Sequence, residues 1–164
     1  MGNGKKFGLG IVATASLALS APAQAACWTV DEVAAAKVRD METMLMVSAL
    51  RCRMSDQDFL PAYNAFVRSG RAGLTVANDR LRGHYAASLG AGRALYGYDR
   101  YVTSIANRYG SGAEGLSCRD LSSITDAAIA QGSSFDALHA LAVRADVQPV
   151  LDGAACTTEI AVLQ

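Results

Sequence analysis

Two histidines, one tryptophan and three prolines in 164 residues leave this sequence short of the groups that do most chemistry. His84 and His139 stand in neither an HExxH nor a CxxCH arrangement, so the usual zinc-protease and haem-attachment signatures are missing. There is no GxSxG elbow to carry a hydrolase nucleophile. The four cysteines never approach as CxxC, the close spacing that zinc sites generally use. Fifteen basic against fifteen acidic residues is too even a balance for a sequence-independent nucleic-acid binder. Strand-like alternation is absent, and no apolar run reaches the ~20 residues of a membrane-crossing helix.

What is present begins at the N-terminus. "MGNGKK" supplies Lys5 and Lys6, "FGLGIVATASLALS" a short apolar middle, and Ala23-Gln24-Ala25 a small-x-small ending. That order matches a secretory signal peptide over residues 1–25. Gln24 stands where a lipoprotein signal has Leu, which disfavours lipidation of Cys27. Cleavage after Ala25 leaves residues 26–164 as a single domain, periplasmic or secreted, with no transmembrane segment. Loss of Lys5 and Lys6 leaves 13 basic and 15 acidic residues, a net charge of −2, and 12 of those 13 are Arg. In an oxidising compartment Cys27, Cys52, Cys118 and Cys156 read as two disulfides.

The mature part reads as helix throughout. Thr29 and Glu32 form a capping box that opens a first helix over about residues 30–53. Its stripe is Val38, Met41, Leu45, Ser48 and Cys52. Ser55 is the candidate cap for a second, long helix over about 57–87, with Phe59, Tyr63, Phe66, Leu74, Leu81 and Tyr85 in step. Gly70 and Gly73 each cost that helix roughly 1 kcal/mol and mark where it would break. After a "SLGAG" loop, Leu95, Tyr98, Val102, Ile105 and Tyr109 make a third stripe, stopped by Gly110. Tyr98 and Tyr109 fall in its core, whereas Tyr96 and Tyr101 are expected to be partly exposed. Leu121, Ile124 and Ala128 give a fourth helix ending at Gly132, and Ser133 to Ala145 a fifth. The expected fold is all-α: an antiparallel bundle of three long and two shorter helices, stapled by two disulfides.

Gly110, Gly112 and Gly115 spell a literal GxGxxG. A dinucleotide fingerprint needs a strand before it and a helix after it. Here an amphipathic helix precedes, so the run reads as a helix stop and a turn leading to Cys118. No cofactor or metal is expected. Met41, Met44 and Met46 read as core filling rather than as a copper cluster.

Four cysteines allow three pairings. Cys27 and Cys52 close opposite ends of the first helix, roughly 35 Å apart, whereas bonded cysteines need Cα atoms within ~7 Å. With the second helix continuous, Cys118 returns to Cys52 and Cys27 meets Cys156. A reversal at "SGRAG" would instead bring Cys118 to Cys27. The first arrangement is favoured.

"CWTVDEVAAAKVRDMETMLMVSALRCR", with "YNAFV" and "ANDRLRGHY", resembles a group of small exported four-cysteine helical proteins of sphingomonad-type bacteria. The likeness is good over residues 27–85 and looser beyond. Some members carry the name adenosylhomocysteine hydrolase, which implies a large cytosolic NAD enzyme. That name does not fit a short chain with an export signal and no cofactor fold. The resemblance carries over no functional residues.

Charge is unevenly distributed. Lys37 to Arg108 holds 11 basic and 6 acidic residues; Ser111 to Gln164 holds 2 basic and 7 acidic. The last helices can dock and compensate the first. Otherwise an arginine surface, with Arg68, Arg71 and Arg82 on one helical line and Arg80 about 120° away, faces an anionic envelope component or an acidic protein partner. The leading expectation is a non-enzymatic interaction or structural module. Two alternatives stand beside it. One is a small-ligand carrier with a cleft lined by Met41, Leu45, Phe66 and Tyr98; the other is an enzyme with an unrecognised site near His84. Oligomeric state is left open.

Overall fold

The computed structural model describes Met1 and residues 27–156; residues 2–25 of the expected signal peptide lie outside them. Thr29 opens α1 (Val30–Cys52) with the expected reciprocal cap: its hydroxyl accepts from Glu32 N–H, and Glu32 accepts from Thr29 N–H at 2.8 Å. Then come α2 (Leu60–Ser69), α3 (Arg71–Leu89), α4 (Ala91–Arg108), a short 3-10 turn (Tyr109–Ser111), α5 (Cys118–Gln131) and α6 (Phe135–Arg144). The fold is all-α, with six helices rather than five.

The expected long second helix is interrupted at Gly70. Gly70 N–H still bonds the carbonyl of Phe66, and its own carbonyl accepts from Leu74. The chain therefore bends without reversing. Tyr63 on α2 meets Glu42, and His84 on α3 meets Glu32, so both segments run antiparallel to α1. Gly73 has a different use. A Cβ there would lie 2.9 Å from Leu138 Cδ1 and 2.9 Å from two backbone atoms before and at the start of α6. Its missing side chain lets α3 and α6 touch. Ser55 is a further correction: it closes the turn after α1 by bonding the Cys52 carbonyl, and α2 starts five residues later with Pro61 in its first turn. The "SLGAG" loop shrinks to Gly90, whose φ of 81° turns α3 directly into α4.

The first helix lies at the centre and touches each of the others. It is buried on more than one face because Ala34, Ala35 and Ala36 let neighbours approach closely, and Val38, Met41, Met44 and Leu45 fill the space between. Asp40, Glu42, Thr43 and Ser48 are buried with them. The carboxylates are satisfied by tyrosines and arginines: Tyr63 donates to Glu42 at 2.6 Å, Arg39 pairs with Glu42 at 2.7 Å, and Tyr109 and Arg108 both reach Asp40.

Both disulfides take the favoured pairing, Cys52–Cys118 and Cys27–Cys156. The second ties a C-terminal strap (residues 147–156) to the start of the domain. Trp28 N–H donates to the carbonyl of Ala154, and Trp28 accepts from Cys156 N–H. Lys37 anchors the strap's other end through the carbonyl of Val147 at 2.7 Å.

Candidate functional site

Where the strap crosses α3 and α4 it leaves a cleft of about 550 Å³. Trp28, 1% exposed, packs against three of the residues that line it, with the His84 ring stacked on it at 3.9 Å and Tyr101 and Tyr85 around it. His84, Tyr85 and Ser88 of α3 form one wall. Tyr96, Gly97, Arg100 and Tyr101 of α4 form another, and Val150 to Ala154 of the strap close the third. Tyr85 donates to Asp152 Oδ2 at 2.9 Å, pinning strap to helix.

Helical spacing puts these groups together. Tyr85 and Ser88 sit three apart on α3, and Gly97, Arg100, Tyr101 and Ser104 follow at three, one and three on α4. A Cβ at Gly97 would lie 2.7 Å from the Tyr85 ring, so the two helices are held close behind the cleft.

The electrostatics are distinctive. Burial pushes Tyr85 and Tyr101 well above the ordinary phenol value, with Asp152 and Asp40 adding to it, so both hydroxyls remain proton donors at neutral pH. Burial raises Glu32, but hydrogen bonds from Thr29 and the nearby His84 outweigh it and hold the carboxyl below its usual range. Glu32 Oε2 is 3.2 Å from His84 Nδ1, out of line for a hydrogen bond. Three buried polar atoms around this one cluster have no partner: Trp28 Nε1, His84 Nδ1 and Tyr101 Oη.

His84 is 3% exposed and stands at a cleft wall. A nucleophile must lie within reach of its base. The hydroxyls of the cleft serines are bonded to main-chain carbonyls: Ser88 donates to that of His84 and Ser104 to that of Tyr101. Among the described residues no group of three or more His, Cys, Asp or Glu side chains is placed to hold a metal ion.

The cleft is not where the carrier reading put it. Met41, Leu45 and Phe66 are fully buried in the filled core, and Tyr98 nearly so, its hydroxyl spent on Asn78 at 2.8 Å. Tyr101 is buried, against expectation, whereas Tyr96 is exposed as expected and Leu95 is exposed too. Met41 and Met44 are core residues and Met54 is exposed, so the methionines are not gathered. His139 stacks on Phe135 at the edge of α6.

The arginines separate into two groups. Arg80 lies 4.2 Å over the Phe135 ring and 3.8 Å from Asp31, and Arg82 lies 5.1 Å over Tyr98. Arg68 and Arg71 are exposed on either side of Gly70. The break at Gly70 interrupts the helical register that aligned Arg68 with Arg82. Arg51 is drawn into the glycine loop, donating to the carbonyl of Gly110 at 2.6 Å.

The sequence reading missed Trp28, Arg100 and Asp152. One signal was available for two of them: pairing Cys27 with Cys156 draws Trp28 toward the segment that holds Asp152. Among the described residues no helix is long and apolar enough to cross a membrane. No protein-family model, curated protein or solved structure matches the chain.

Proposed function

We propose that the protein is an exported module of the cell envelope that binds an acidic or anionic partner through its arginine surface and performs no chemistry of its own. One observation carries this reading. The three arginine–carboxylate pairs among the described residues all join groups between Asp31 and Arg108, so no described carboxylate of the acidic C-terminal half pairs with an arginine of the basic half. Docking of α5 and α6 fills the core without a direct ion pair from their described carboxylates to those arginines. Exposed, unpaired arginines attract an oppositely charged partner and steer its approach. Two disulfides support placement in an oxidising compartment such as the periplasm.

Arg68 and Arg71 are the clean probes, because Arg80 and Arg82 also pack on aromatic rings. A tagged mature protein is used for affinity capture from a periplasmic extract, beside an Arg68→Glu/Arg71→Glu variant. The variant should melt with the wild type, since exposed charges contribute only ~0 to 1 kcal/mol each, yet lose the captured material. Salt should release that material from the wild type. Equal capture by both proteins contradicts the proposal.

A further inference from the structure

We propose that the cleft beneath the C-terminal strap is a binding site for a small zwitterion of the α-amino-acid class with an apolar or aromatic side chain. Two opposite charges line this one cleft, Arg100 from α4 and Asp152 from the strap. They do not pair with each other, and among the described residues neither has another ion-pair partner. Arg100 is exposed and rests near the face of Tyr96 at 5.7 Å, which leaves its planar fork free for a carboxylate. Asp152 has one oxygen held by Tyr85, which fixes the carboxylate and leaves Oδ1 to accept from an ammonium.

Tyr101 adds a further feature beside these charges. Tyr101, 4% exposed, lines the same cleft with its ring, and its hydroxyl is buried without a hydrogen-bond partner. Native structures rarely leave such a group unsatisfied. Leu89, Tyr96 and Val150 supply apolar lining, and the volume falls within the range of small-molecule sites. An anion alone would meet the Asp152 charge and a cation alone would meet Arg100. Only a molecule carrying both charges satisfies both walls. This site shares no residue with the Arg68 and Arg71 surface, so its success or failure is separate from the partner reading.

Trp28, the single tryptophan, stacks on His84 of the cleft wall and serves as a fluorescence reporter. The mature oxidised protein is titrated with L-phenylalanine and with glycyl-phenylalanine, and binding is confirmed by calorimetry. Phenylacetate, lacking the ammonium, and phenethylamine, lacking the carboxylate, serve as controls on the wild-type protein. Saturable binding of either zwitterion is expected, with both controls at least ~10-fold weaker. The tighter of the two zwitterions distinguishes a free amino acid from a short peptide as the source. Arg100→Gln and Asp152→Asn, the latter keeping an acceptor for Tyr85, should each weaken binding at least ~10-fold with the melting temperature unchanged. Absence of saturable binding by both zwitterions, or control binding as tight as theirs, overturns the proposal.

Discussion

Tyr109 donates a 2.6 Å hydrogen bond to Asp40 across 69 residues of chain. Asp40 is fully buried on α1, and Arg108 binds its other oxygen from a position one-third exposed. The two partners are not equivalent. Removing the carboxylate frees Arg108 to turn toward water, whereas removing Arg108 strands a buried charge with one donor. Asp40→Asn should therefore cost about 1 to 3 kcal/mol, and Arg108→Ala about 3 kcal/mol or more. Denaturant midpoints of the two variants check the order. A smaller loss for Arg108→Ala would place the burial cost elsewhere.

Two glycines of α3 should respond in opposite senses. A Cβ at Gly73 meets Leu138 and the backbone of residues 133 and 135, so Gly73→Ala should destabilise by about 1 to 3 kcal/mol despite better helix propensity. A Cβ at Gly83 meets nothing within 4 Å. Gly83→Ala should stabilise by about 0.5 to 1 kcal/mol. Thermal melts of both proteins decide it.

Much of the helix layout was legible because it is written in local chemistry. The Thr29 and Glu32 box and the Gly132 stop act over three or four residues, while helix length alone excluded a Cys27–Cys52 bond and the choice between the other two pairings turned on whether the chain reverses at residues 69–73. The break at Gly70 was readable only as a place of weakness, because what fixes Gly73 is its contact with α6, far away in sequence. Asp40 and Glu42 looked like ordinary charged positions. Their burial depends on Tyr109 and Tyr63, and no periodicity within α1 reveals that. The cleft was the least legible feature. Its walls come from α3, α4 and a strap without regular structure, brought together by the Cys27–Cys156 bond.

Alkaline pH should weaken the fold. Burial, reinforced by Glu42, Asp152 and Asp40, pushes the hydroxyls of Tyr63, Tyr85, Tyr101 and Tyr109 far above the ordinary phenol value. In the unfolded chain these groups release protons near pH ~10, while the folded state keeps them. Above that pH the unfolded state binds fewer protons, so stability falls as pH rises. Below it these phenols contribute no pH dependence. Tyrosinate absorbance at these positions should appear together with loss of helical circular dichroism. Their ionisation in a protein that remains fully helical would contradict the burial.

The proposal of an exported, disulfide-braced module is tested most directly by the intact mass of the product recovered from the periplasm or medium. The predicted mass is that of residues 26–164 less four hydrogens, with no thiol reacting until the protein is denatured and reduced. Reduction should then lower the melting temperature, because the loops span 66 and 129 residues and chain entropy assigns each bridge roughly 4 to 5 kcal/mol. A cytosolic product retaining Met1, with four reactive thiols in the native protein, would contradict both the compartment and the bracing.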